Sequence, residues 1–544
     1  MSDDSFSPPH RRREVYVWTG VLLAVCVAAA RIFFWDIDRT VPYPRHVDEG
    51  FISGPAHQTV TTGTLHPHTF NYPSLPKYLA AAGLAAGFVR GAASLEIREI
   101  RTLGNVGYPY YEVRRPMQTA RQLFALLAVI ALAGTGASAW LALRRPVAIV
   151  LAPLIVLASP LFVLHAWEYL NVDVVGTTFV VLTLVACLIG TERPTLARAA
   201  ILPGALAGFA TGSKYTLAVA ILPVLVAIGL FVPSRRKLQA ALTACAAMVA
   251  AFLLVVPYSL LDIPGFLDGL AAEAFHYASG HEGFSDEPGL TQLLFYLRHF
   301  VTDFGVVAIV VAAIGWGAFV ASDWRRSVVM ASFPVALLWL LSGQTVRFPR
   351  NVLSIHPFVA IYAAFGVQTI YAWGLRFASV RGWTRSRLTK PLLAGATLAL
   401  AAAAVHPGHL AGLVRDRADS RTVAEEWIEK ELPASTAVLI PSELGFDVRH
   451  LEASGRMVKT VNMHNAVDPG AMTRLLRDVP GPAVLLRPEW TADPRYPDQE
   501  DAEALNHAHT GLQEMERFGT NEVLANYWQP VPRGDPAFSV VVLR

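Results

Sequence analysis

The residues best suited to chemistry fall into a few short polar groups in an otherwise apolar chain. The first is His46, Asp48 and Glu49, followed by His57, His66, His68, Asn71, Tyr72 and Lys77. A carboxylate partly withdrawn from water gains proton affinity, and a nearby cation lowers it again. An acidic pair flanked by Tyr43, Phe51 and Ile52 can therefore be tuned to take a proton from a hydroxyl or amide. The plainer alternative is a solvated loop surface. A second group, His165, Trp167, Glu168, Tyr169, Asn171 and Asp173, separates two apolar runs. Asp173 opens the second run, where a charge at the membrane edge can face a cavity instead of lipid. Asn171 or Asp173 could equally cap a helix, and the two roles are compatible.

Cations with no topological reason to be there form a third group. Lys214 follows Gly212 and Ser213, Arg347 and Arg350 bracket Phe348 and Pro349, and Arg115 and Arg121 open another apolar run. The planar donor fork of arginine suits phosphate, although arginines at a lipid surface also bind head groups without catalysis. Two acidic groups and several cations on one membrane face fit a reaction in which a phosphate leaves. His276 and His281, with Glu282, Asp286 and Glu287, make one more polar group. Neither these histidines nor His57, His66 and His68 have a compelling ligand spacing, which leaves open a divalent ion (Mg or Mn) near Asp48 or Asp173.

Membrane spans must position these groups. The chain has 544 residues, 53% hydrophobic and only 16% charged, against about 25% charged in ordinary soluble proteins. Its mean hydropathy is +0.40. A span needs roughly 20 apolar residues, fewer when sheltered, and about eleven candidates are present. They lie near 16–35, 118–141, 147–165, 172–190, 198–212, 215–233, 239–260, 301–321, 327–342, 350–373 and 389–405. The first is read as uncleaved, since no small-x-small site precedes Asp36 and Asp38. Arg144 and Arg145, Arg193 and Arg198, Arg235 to Lys237, Arg325 and Arg326, and the basic run from Arg376 to Lys390 recur in alternate loops. Positive charge stays inside, so the N-terminus is cytoplasmic and residues beyond 410 lie outside. A further apolar stretch, 74–95, would reverse this pattern if it crossed, so it reads as a re-entrant or interfacial helix.

The sequence divides accordingly into a cytoplasmic tail (1–15), a membrane domain (16–405) with a first external loop at 36–117, and a soluble outer domain (410–544). The outer part reads as a small α/β domain. Helices are predicted at 416–432, 471–478 and 510–518, and strands at 437–440, 457–461, 483–486 and 538–543. Cys26, Cys187 and Cys245 all lie in apolar stretches, so no disulfide holds that domain, and no C-x-x-C pair offers thiolate chemistry. There is no basic domain or aromatic ladder to suit nucleic acid.

These blocks, in order, resemble the phospholipid carrier-dependent glycosyltransferases of the GT-C fold, the superfamily of protein O-mannosyltransferases and bacterial aminoarabinose transferases. The resemblance rests on His46-Val47-Asp48-Glu49, Asn71-Tyr72-Pro73-Ser74-Leu75, Arg121 in Ala120-Arg121-Gln122-Leu123, His165 through Asp173, Gly212-Ser213-Lys214-Tyr215, Arg347-Phe348-Pro349 and Arg421 to Ile428. It covers about residues 15–440. It implies a polytopic α-helical GT-C domain and inverting sugar transfer from a polyprenyl-phosphate donor to an envelope acceptor (protein, lipid or glycan) at the outer face of a bacterial plasma membrane. Asp48 then stands as the base with Glu49 beside it, and Asp173 orients substrate or supports a cation. Arg121, Lys214, Arg347 and Arg350 are candidates for the lipid phosphate. His46, Tyr72, His165, Glu168 and His281 are candidates for orienting substrate. Two other readings are a transporter or flippase of a lipid-linked sugar, whose expected internal repeat is not seen, and a non-catalytic scaffold for envelope assembly.

Overall fold

In hydrocarbon every backbone N–H and C=O must be bonded within its own segment, so the apolar runs fold as helices. The computed structural model describes residues 9–381 apart from 36, 39–40, 42–45, 47, 106–113, 168 and 282–283. Beyond these it describes 420–444, 446, 448–461, 474, 476–477, 479, 481–488, 514–518 and 538–543. Among the described residues, seven helices are long and apolar enough to cross a membrane: Glu14–Phe34, Arg114–Leu143, Val172–Glu192, Ser234–Val255, Leu290–Ser322, Trp324–Ser342 and Pro349–Val380.

The expected span at 147–165 is a broken pair, α5 (Ala148–Leu157) and α6 (Pro160–Ala166), bent by 81°. The break has a local cause, because Ser159 accepts the Phe162 N–H as an N-cap and Pro160 starts the new helix. Residues 198–212 and 215–233 give short helices, α8 (Leu202–Ser213) and α9 (Ile221–Phe231). With the bent pair, the described residues supply up to eight spans, fewer than the expected eleven. The expected span at 389–405 lies outside them.

The first external loop contains α2 (Glu49–Thr62) and α3 (Ser74–Ala93). Glycine brings α3 onto α4 (Arg114–Leu143): a Cβ on Gly83 would stand 2.5 Å from the Ala120 Cα, and one on Gly87 2.5 Å from the Pro116 Cα. The same device joins α13 (Leu290–Ser322) to α15 (His356–Val380), where Cβ atoms on Gly315 and Gly366 would each meet a backbone oxygen at 1.9 Å. Small residues at helix crossings suit a membrane interior, where close packing replaces hydrophobic segregation. α13 starts well before the expected position 301 and is interrupted at Gly305, whose φ is +82°. An unexpected helix, α12 (Ile263–Ser279), occupies the preceding connection; Asp262 caps it and Pro264 lies in its first turn.

The C-terminal region has α16 (Ser420–Glu431) and a five-stranded sheet of order β2-β1-β3-β5-β4, with β1 Ala437–Pro441, β2 Val458–Val461, β3 Ala483–Pro488, β4 Glu514–Phe518 and β5 Phe538–Val542. β2, β1 and β3 are parallel; β5 is antiparallel to both β3 and β4. Ala424 and Ile428 of α16 pack with Val438, Leu439, Val484, Leu485 and Val540. Arg456 closes the end of α16 by donating to the Ile428 and Leu432 carbonyls at 3.1 and 3.0 Å. Over its described residues, 514–518, the predicted helix at 510–518 is corrected to strand β4: its partner β5 supplies the backbone bonds, and this pairing overrides the helical preference of Glu514 to Arg517. The helix predicted at 471–478 lies largely outside the described residues.

Candidate functional site

Four distant segments bring their polar ends together. Asp48 stands at the start of α2, Asp173 in the first turn of α7 (Val172–Glu192), Lys214 just after α8, and Arg350 in the 3-10 segment Pro349–Ile355 that leads into α15. The Arg350 guanidinium lies between the two acids, with Nη2 2.9 Å from Asp48 Oδ2 and Nε 3.9 Å from Asp173 Oδ2. Lys214 Nζ donates to Asp173 Oδ1 at 2.7 Å and to Asn351 Oδ1 at 2.8 Å. The ring of Phe348 lies under the guanidinium at 4.2 Å. Asn171, not Asp173, caps α7 by accepting the Val174 N–H at 2.8 Å, which leaves the Asp173 carboxylate to the two cations.

Asp48 also accepts the Tyr72 hydroxyl at 3.0 Å. Burial alone would raise its proton affinity, but Arg350, His46, the Tyr72 hydroxyl and Lys214 outweigh burial and hold it below the usual carboxylate range. Tyr72 is shifted the other way, well up, by burial and by facing that carboxylate. His46 accepts the Asp48 backbone N–H on Nδ1 at 3.1 Å, so the ring's own proton is on Nε2. Burial lowers its pKa to about 4 and the ring is neutral at ordinary pH. It stacks on Tyr169 with centroids 5.0 Å apart, and His165 lies 6.5 Å away. His165 Nδ1 is bonded to the Leu161 carbonyl at 2.9 Å within α6.

Glu49 and Arg121 belong to a different environment. Arg121 donates from Nε and Nη2 to the two Glu49 oxygens, both at 2.9 Å, and from Nη1 to the Ile37 carbonyl at 3.1 Å. Glu49 also accepts the Leu170 N–H at 3.0 Å. Their side chains are 1% and 2% exposed, so the pair ties the first loop and the second to α4. Arg347 is likewise elsewhere: it pairs with Asp286 at 2.5 Å, over the Phe295 ring. His281 packs edge-on against Phe348 with centroids 5.3 Å apart, one layer behind Arg350. Glu168 lies outside the described residues.

Several participants were not singled out from the sequence. Asn351 links Lys214 to Tyr277, whose hydroxyl is 3.4 Å from the same amide oxygen. On α12, Glu273 feels Lys214, Asp48 and Arg350, and burial raises its proton affinity. Tyr277 and Glu273 are four residues apart on one helix face, and the Asp262 cap with Pro264 was the available signal for that helix. Lys77 is buried, donates to the Thr69 carbonyl at 2.5 Å, and is lowered by burial to about 7. Asp48 Oδ2 and both Asp173 oxygens face the two cations Arg350 and Lys214.

Residues 115–260, which include Arg121, Asp173 and Lys214, match the dolichyl-phosphate-mannose-protein mannosyltransferase family, PMT_2. No curated protein matches by sequence. Among solved structures, apo ArnT from Cupriavidus metallidurans aligns with a TM-score of 0.50 at 15% identity, over 97% of this chain and 98% of ArnT. The same protein bound to undecaprenyl phosphate gives 0.52 at 15%, over 96% and 98%. The oligosaccharyltransferase AglB from Archaeoglobus fulgidus, with an inhibitory peptide and a dolichol-phosphate, gives 0.48 at 12%, over 92% of this chain and 74% of AglB. The chain is a polytopic membrane protein of the GT-C glycosyltransferase fold, sharing that fold with ArnT along its length and matching the PMT_2 family through residues 115–260.

Proposed function

We propose that the chain is an inverting glycosyltransferase that moves a sugar from a polyprenyl-phosphate donor to an envelope acceptor at the outer face of a bacterial plasma membrane. The observation that carries this reading is the position of Arg350 between Asp48 and Asp173, with Lys214 on the far side of Asp173. Such a site presents a carboxylate to a nucleophile and two cations to a departing anion within one cluster. An acceptor hydroxyl bonded to Asp48 attacks the anomeric carbon from the face opposite the phosphate. The new glycosidic bond forms as the anomeric carbon–phosphate oxygen bond breaks. The acceptor proton passes to Asp48, and the lipid phosphate takes the bonding electrons and is held by Arg350 and Lys214.

Arg350 keeps Asp48 a weak base while the two are paired. A donor phosphate that draws the guanidinium toward itself raises the proton affinity of Asp48 at the moment a base is needed. Asp173 holds Lys214 and Arg350 in place, and Tyr72 and His46 fix the orientation of Asp48. In this reading residues 1–15 are a cytoplasmic tail, 16–405 the catalytic membrane domain, and 410–544 an outer domain near the acceptor.

The test is transfer by the purified full-length protein from a panel of polyprenyl-phosphate sugars, together with envelope glycans and lipid-linked sugars from cells carrying Asp48→Asn. Accumulated donor and one missing product in the variant cells support the reading and identify both substrates. Normal turnover of Asp48→Asn in the purified assay overturns it.

A further inference from the structure

A second polar cluster lies inside the bundle, apart from the carboxylates described above. His299 and Asp303, four residues apart on α13, share one face of that helix. His356, in the first turn of α15, meets them there. One ligand atom from each lies within 4.8 Å of the others. The residues are 6%, 0% and 0% exposed.

The hydrogen bonds around the cluster constrain what sits between these atoms. His356 Nδ1 is 3.0 Å from the Val352 carbonyl, so Nδ1 carries the proton and donates it. In the neutral ring Nε2 then presents a lone pair, and it faces Asp303 Oδ2 at 3.0 Å. Two acceptors at that distance require a positive centre between them. Asp303 is itself held by the Ser159 hydroxyl at 2.5 Å and by the Leu161 N–H at 3.0 Å. His299 Nε2 is buried with no hydrogen-bond partner. One proton on His356 relieves only the His356–Asp303 pair and leaves His299 Nε2 unsatisfied. A divalent cation engages all three.

We propose that His299, Asp303 and His356 bind a divalent first-row transition metal, with Zn2+ as the reference ion. Two imidazoles and one carboxylate suit Zn2+, Fe2+ or Co2+ better than the all-oxygen preference of Mg2+ or Ca2+. The backbone carbonyl on His356 Nδ1 and the two donors on Asp303 are the kind of outer partners that orient ligands around a metal. The role is structural. Asp303 grips the start of α6, which leads through a short connection to Asp173 in the first turn of α7, and His356 follows Arg350 and Asn351 by one to two turns. A metal there fastens together the two segments that supply the carboxylate and the guanidinium of the transfer site.

The experiment measures metal content of the full-length protein, purified from membranes and dialysed against metal-free buffer, and then titrates chelator-treated protein with Zn2+. The expected result is close to one equivalent of transition metal per chain and a rise in the thermal transition on adding Zn2+. His299→Phe removes one ligand while keeping the site filled with an aromatic ring. Its Zn2+ affinity should fall by more than the about 10–100-fold typical of losing an outer partner. His356→Ala is the second ligand variant, and Asp48→Asn should retain the wild-type metal content. Substoichiometric metal with no thermal response to Zn2+ overturns the proposal. So do identical Zn2+ isotherms for wild type and His299→Phe, which place any bound metal elsewhere.

Discussion

Asp48 and Glu49 are adjacent in the chain and end in opposite circumstances. Asp48 joins a cluster of alternating charges gathered from four segments and keeps 14% of its side-chain surface open. Glu49 is sealed against Arg121 in a two-bond pair, with Leu170 N–H as a third donor. A buried ion pair gains little over an apolar replacement, yet breaking it leaves an uncompensated charge. A pair of this kind fixes where a loop goes. A mixed cluster with open surface can exchange one of its members for a substrate anion. The same residue chemistry therefore does two jobs, separated by one step along the backbone.

Substitutions at the two positions give the sharpest contrast. Asp48→Asn should lower turnover by about 10²–10⁴-fold, the usual worth of a general base, with an unchanged thermal transition. An Asp48→Asn protein that is active, or one that fails to fold, breaks the contrast. Arg121→Leu alone should destabilise by about 3–5 kcal/mol by stranding Glu49, while the double variant Glu49→Leu/Arg121→Leu should recover most of that loss. Thermal unfolding in detergent checks this, and a double variant as unstable as the single one would show that the pair does more than neutralise charge.

A pH profile sharpens the same comparison. Asp48 lies below the usual carboxylate range, so it stays ionised to lower pH than a free aspartate, and any stability that its ionised form contributes is lost only as pH falls through that lowered value. Removing Arg350 takes away the strongest influence opposing burial. The acid limb of kcat/KM in Arg350→Gln should therefore move to higher pH, whereas Arg121→Leu should leave it in place. A limb that stays put in Arg350→Gln would remove Asp48 as its source. The smallest effect is expected at Arg347, whose partner Asp286 is a third exposed. Arg347→Gln should cost at most about 1 kcal/mol in stability and leave donor affinity within a few fold; a large loss of donor binding would return Arg347 to the phosphate site.

Much of the site was visible in the sequence because a charge in a short connection between apolar runs has few reasons to be there. Asp173, Lys214 and Arg350 are of that kind, and the structure links them in one chain of contacts that reaches Asp48 through Arg350. What sequence spacing does not carry is helical phase at a first turn. Glu49 is the first residue of α2 and Asp48 precedes it, so one residue faces the core and the other the cluster. Arg121, paired across 72 positions, could not be separated from the phosphate candidates by its type alone. Glu273 and Tyr277 lie on α12, in the connection between the expected spans at 239–260 and 301–321, where the apolar pattern gives no span to place them on. In the outer domain short apolar runs exposed four strands, but β4 depends on a partner twenty or more residues away.

Where Gly315 and Gly366 let α13 and α15 touch backbone to backbone, no side chain remains between them to rotate or slide. The two helices are thereby held in contact beyond the break at Gly305, while Asp303, before that break, reaches His356 through its side chain. On the other side of the candidate site, α12 buries none of its own residues and holds Tyr277 against Asn351. Its amides should exchange with solvent well before those of α13 and α15, and the gap should narrow when donor is bound.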